Sequence, residues 1–186
     1  MAMSCGTLLA MACRKIYMGK HSCLGPIDPA LGTYRADAVI EEFDKARKDI
    51  ASNPNLALLW QPILAKYPMT FLGECEKAKQ AAEIVARKWL SEGMLAGVPE
   101  QKKKIDEIVS VFANHKNSKM HDRHISPFEA RSVGMEIQLI EEDPILQDKV
   151  MSVYHAADNY CRSEGYSRFI SNANGIGLFA RPPKDK

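Results

Sequence analysis

Only two stretches of this chain read as β-strands, and most of its length lies between them. Ile16 to Met18 is a short apolar run, and Met135 to Ile140 alternates apolar and polar residues as a strand with one buried face does. Two isolated strands do not make a stable sheet. The pattern therefore leaves two expectations: a fold that is essentially helical, or one whose remaining strands lie outside this chain.

The helices carry clear starts and stops. Val39, Ile40, Phe43, Ala46 and Ile50 share a face that Asn53-Pro54 ends. Leu56 to Lys66 reads as a shorter helix interrupted by Pro62. From Thr70, the set Phe71, Cys75, Ala78, Ala82, Val85, Ala86 and Trp89 predicts a long amphipathic helix stopped by Gly93. Pro99 opens another, with Ile105, Ile108, Val109 and Phe112 inward. Ser126-Pro127-Phe128-Glu129 is a capping-box pattern with Gly134 as its stop, and Asp143-Pro144 caps a last helix through Leu146, Val150, Val153 and Ala157. Beyond Gly165 periodicity is lost, so the tail is expected to fray.

Composition narrows the function classes. At 186 residues, with 46% apolar and 26% charged, the chain suits one folded domain and not a disordered one. Its 25 basic and 23 acidic residues leave no field for nucleic acid, and Lys102 to Lys104 read as a solvated helix face. The apolar run Leu8 to Cys13 falls far short of the roughly 18 residues of a membrane span. Arg14 and Lys15 follow that run, whereas a secretory signal places its basic residues first. The five scattered cysteines form neither a disulfide framework nor a CxxC pair, which points to a reduced, cytoplasmic protein.

Three stretches hold residues capable of chemistry. In Met3-Ser4-Cys5-Gly6-Thr7, a serine stands directly before an apolar helix and a glycine permits a tight turn. A nucleophile needs that kind of exposed loop-to-helix corner, although an N-cap serine would look the same. In the loop from Lys20 to Pro29, Asp28 sits between Ile27 and Pro29, suited to orienting a histidine or to closing an Asx turn. His21 in the same loop is a possible base or a solvated side chain. The stretch from His115 to His124 carries His115, His121 and His124. Its irregular spacing and its lysines argue against a metal site, so a general base or a plain surface connection remains.

These residues resemble a known family. Met3 to Ala12, then Ile16-Tyr17-Met18-Gly19, then Leu24-Gly25-Pro26-Ile27-Asp28-Pro29, are similar in kind and order to the serine dehydrogenase proteinases, relatives of signal peptide peptidase A. Trp60 to Ile63 and Lys119 to Ser126 fit the same pattern. The resemblance implies an α/β fold of the ClpP/crotonase type, here mostly helical with a remnant of sheet, over residues 1–157. Residues 158–186 would then be a C-terminal extension. It also implies a cofactor-free serine peptidase acting on peptides or proteins as a homo-oligomer.

By that resemblance Ser4 is the nucleophile, Asp28 the orienting acid and His121 the base, with His124 and His21 as the alternatives. Cys5 and Gly6 form the oxyanion turn. In that fold, strands and a Gly-Gly loop precede the nucleophile, so the chain is expected to be the C-terminal part of a longer peptidase with little activity by itself. Two other classes stay open. One is a catalytically inactive interaction module, and the other a crotonase-type acyl-CoA enzyme.

Overall fold

A computed structural model describes residues 1–113 and 123–182. The chain divides into two units, Met1–Leu139 and Ile140–Lys186. Among the described residues of the first unit lie α1 (Cys5–Met11), β1 (Ile16–Met18), β2 (Ala30–Leu31), β3 (Tyr34–Arg35), α2 (Ala36–Ser52), α3 (Ala57–Leu64), α4 (Phe71–Glu92), α5 (Gln101–Ala113), α6 (Pro127–Ser132) and β4 (Ile137–Leu139). The two distant strands find each other: β1 and β4 pair in parallel, with Ile16 opposite Ile137 and Met18 opposite Leu139. β2 and β3 form a two-residue hairpin. The result is mostly helical, with only small sheets.

The helix ends follow from the sequence. Ser126 accepts a hydrogen bond from the Glu129 backbone N–H, as a capping serine does, and Gly93 closes α4. One start is displaced: α5 begins at Gln101, two residues after Pro99, because Glu100 takes a left-handed φ of 55°. Gly93 also has a packing role. A Cβ there would lie 2.9 Å from the Ala12 carbonyl oxygen, so only glycine lets the end of α4 pass the end of α1.

Met11, Leu90, Ile108, Phe112 and Ile125 form the centre of the main core, each almost fully shielded from water. A smaller cluster joins α2 to α4 through Ala36, Val39, Phe71 and Cys75. Beside the main core runs an extended segment, 23–26, that the strand pattern misses because it contains Gly25 and Pro26. Residue Leu24 is bridged in parallel to Ala2 and antiparallel to Ile125. Three remote parts of the chain thus meet along four residues.

The second unit holds α7 (Pro144–Glu164), capped by the Asp143 side chain on the N–H groups of Ile145 and Leu146. Of the tail expected to fray in part, the described residues 166–182 include a paired segment. Arg168–Ser171 and Gly177–Ala180 pair as an antiparallel hairpin, β5 and β6. Phe179 of β6 packs its ring against Tyr160, Tyr166 and Phe169. Aromatic contacts, invisible to a periodicity argument, supply the order here.

Candidate active site

Ser4 stands at the corner between the 2–4 segment and α1, with φ 48° and ψ −111°. That is close to the mirror image of the extended region, open to glycine and costly to any side chain, of order 1–3 kcal/mol. Hydrogen bonds on both sides hold it there. The Ala2 N–H donates to Cys23 O at 3.0 Å, the Gly25 N–H to Ala2 O at 2.8 Å, and the Ser4 N–H to Pro26 O at 3.1 Å. On the far side, Ser4 O accepts from the Leu8 N–H at 3.1 Å and starts the helix. Although Ser4 occupies the N-cap position, its side chain makes no capping bond, and the residue is exposed. The corner is strained, and its hydroxyl is not used for helix capping.

Of the two oxyanion-turn residues, Gly6 donates its N–H to Met3 O at 2.8 Å. Cys5, the first residue of α1, keeps a helix-start N–H with no partner in its own helix. Thr7, which the sequence reading did not single out, is fully buried and ties the corner down. Its hydroxyl lies 2.9 Å from Gly25 O and 3.0 Å from Ala2 O, and accepts from the Gly25 N–H at 3.2 Å. The only available signal was its place on the buried face of α1, one helical turn before Met11.

Asp28 is buried just past that extended segment. It accepts from Arg35 Nε at 3.0 Å and from the Asp37 backbone N–H at 3.2 Å, so it caps α2 from outside and pairs with Arg35. Burial pushes its carboxyl above the ordinary range, and nearby Asp37 adds to that. The Asp37 N–H and the Arg35 guanidinium pull the other way. Asp37 is itself buried and ion-paired with Lys79. Lys79 could have been found in the sequence, since it falls at helical spacing among Cys75, Ala82 and Ala86, on the stripe that faces inward.

His121 lies outside the described residues, as does His115. The ends of that stretch are placed, however. Phe112 O accepts from the Ile27 N–H at 3.0 Å, and Ile125 exchanges both backbone hydrogen bonds with Leu24. Both described ends of that stretch therefore bond to residues 24–27, where Pro26 O also accepts from the Ser4 N–H. His124 and His21 come together, lining a cleft of about 210 Å³ with Lys20, Ser22, Cys23 and Ser126. The tight recess around Asp28, lined by Ile27, Pro29, Asp37, Lys79 and Ala113, shares no residue with that cleft. Among the described residues no three His, Cys, Asp or Glu side chains gather as a metal site.

Residues 1–138 match the model of a family described as "ClpP-like SDH-type serine proteinase". Two uncharacterized proteins of Methanocaldococcus jannaschii are similar to parts of the chain. MJ0137 is 42% identical over 57 residues, which is 31% of this chain and 20% of that protein. MJ1495 is 29% identical over 93 residues, 48% of this chain and 32% of that protein. The matched region thus spans a third or less of either relative. No solved structure matches.

Proposed function

The chain belongs to the ClpP-like SDH-type serine proteinases, and from that membership we propose that Ser4 is the nucleophile of an amide hydrolysis running through an acyl-enzyme. The observation that carries the reading is the strained, uncapped Ser4 corner. A side chain is held at a φ of 48° only where its surroundings force it there, and such strain gathers at functional sites.

In this reading a base removes the Ser4 proton and Oγ attacks the carbonyl carbon of the peptide. The oxygen's negative charge develops near the Cys5 N–H, and the base returns its proton to the leaving amine. Water then repeats the sequence on the acyl-enzyme. His121 is the proposed base, carried by the chain between Phe112 and Ile125. Asp28 is the orienting acid: its two observed bonds leave carboxylate lone pairs for a histidine N–H. The ClpP/crotonase fold and peptide or protein substrates belong to the same proposal. Assembly into a homo-oligomer is part of it too, supported by Val153, Tyr154, Ile170 and Leu178 of the second unit, all well exposed. The cysteines are free, which suits a reducing cytoplasm. No helix among the described residues is long and apolar enough to cross a membrane.

A second reading, the inactive interaction module, draws on the Arg35–Asp28 pair, which engages the acid without a histidine. A fluorophosphonate probe separates the two. The peptidase reading expects labelling at Ser4 that Ser4→Ala abolishes, that His121→Ala slows by 100-fold or more, and that His124→Ala slows far less, by about tenfold at most. Equal labelling with alanine at residue 4 would end it.

A further inference from the structure

Asp37 is buried and ion-paired, and a Ser4, Asp28 and His121 site makes no use of it. It faces two ways. Its backbone N–H, one of the donors that a helix start leaves without an intrahelical partner, reaches Asp28 Oδ1 at 3.2 Å. Its side chain takes the Lys79 ammonium group of α4. The residue before it repeats the first contact, since the Ala36 N–H donates to Pro29 O at 2.9 Å. The first two N–H groups of α2 are therefore held by residues 28 and 29, and an ion pair ties the same turn to α4.

Stability alone does not explain such a pair. Taking two charges out of water costs about what their attraction returns, and apolar side chains of the same size would hold α2 on α4 as well. Packing already joins the two helices beside it, through Val39, Phe71 and Cys75. What the ion pair adds is direction. A carboxylate and an ammonium group fix each other at hydrogen-bond distance, whereas packed apolar helices slide past one another. Lys79 follows Cys75 by one helical turn and lines the recess around Asp28 together with Asp37 and Glu83. The other oxygen of Asp28 is bonded by Arg35, from β3. We propose that Lys79 is a positioning residue of the peptidase: through Asp37 it fixes the start of α2, and with it the Asp28 oxygen that this start holds. This rests on the peptidase reading and on Asp28 as its orienting acid. The role is geometric, and a displacement of about 1 Å in such an arrangement is enough to cost up to roughly 100-fold in rate.

The test uses the full chain and two readouts. Hydrogen exchange of the residue 37 amide, followed by NMR, reports its bond to Asp28 with no need for activity. Fluorophosphonate labelling reports on Ser4. Lys79→Met should speed exchange at residue 37 by about tenfold or more, while Ala46 in the middle of α2 changes by less than about threefold, and it should slow labelling about tenfold. Lys79→Arg, which still offers Asp37 a cation, should return both readouts to within about threefold of the parent. Lys79→Met leaves a carboxylate buried alone, so it is paired with a double variant, Lys79→Met with Asp37→Ala. That change removes both charges, keeps the backbone N–H at residue 37, and should slow labelling as much as the single one does. A double variant that labels like the parent would overturn the proposal, because the stranded charge and not the lost tie would then be the cause. Exchange that is unchanged at residue 37, or that speeds equally at Ala46, overturns it whatever the labelling. Labelling slowed by Asp28→Asn but by neither Lys79 variant removes Lys79 alone and leaves the peptidase. No labelling in the parent removes the nucleophile, and labelling indifferent to Asp28→Asn removes the acid; the proposal falls with either.

Discussion

Replacing Thr7 with valine should destabilise the first unit more than replacing it with serine does, although valine is the more apolar residue and nearly isosteric. Thr7 is fully buried, and its Oγ1 lies 2.9 Å from Gly25 O, 3.0 Å from Ala2 O and 3.2 Å from Gly25 N. Valine puts a methyl carbon there, inside the distance at which carbon meets oxygen comfortably, and leaves a buried carbonyl without its donor. The Gly25 N–H is spared, because it also reaches Ala2 O at 2.8 Å. One orphaned acceptor plus local overpacking amounts to roughly 2–4 kcal/mol. Serine keeps every hydrogen bond and loses one buried methyl group, about 1 kcal/mol. Both tryptophans, Trp60 and Trp89, lie in the first unit, so their fluorescence during urea unfolding reports on it alone. Because Thr7 holds the Ala2 and Gly25 backbones, the valine variant should also label more slowly at Ser4. A valine variant within about 0.5 kcal/mol of the parent, or more stable than the serine variant, would refute the claim that Thr7 pins the corner through its hydroxyl.

Ser4→Gly should raise stability by about 1 kcal/mol, since glycine adopts the corner's positive φ freely and no capping bond is lost; Ser4→Ala, which keeps the strain, should not, and urea midpoints distinguish them. Asp28 has a raised carboxyl, so the folded state holds its proton more tightly than the unfolded chain, and stability is lost as pH rises through the folded-state value. Arg35→Met removes a group that opposes this, so the stability gap between variant and parent should widen from about pH 4 to about pH 7; a gap independent of pH would contradict the assignment. Val153→Glu, at a position 71% exposed on α7, should leave urea stability within about 0.5 kcal/mol. If copies associate through the second unit, it should lower the molar mass by light scattering, and an unchanged oligomer would exclude Val153 from the interface.

Local physical chemistry was enough to place most helices. The face of α2, the stop at Gly93, and the Ser126 and Asp143 caps follow from 3.6-residue spacing and from side chains that bond their own backbone, all within a few residues. Ser4 and Asp28 were legible for a related reason, since their neighbours Gly6, Gly25 and Pro29 mark sharp turns in the chain itself. What the sequence could not specify was every relation between distant segments. The parallel pairing of β1 with β4, the three-way meeting at residues 23–26, and the Phe179 ring cluster join residues whose separation leaves no periodic trace. The same holds at the site. Ser4 read equally well as a helix cap until the fold fixed its φ and left its hydroxyl uncapping. Asp28 read equally well as an orienting acid or as an Asx-turn residue until α2 folded back to give it Arg35 and the Asp37 N–H. Hydrogen-bond geometry and burial are properties of the packed chain, and they decide which of several chemically capable residues are held, shielded or left exposed.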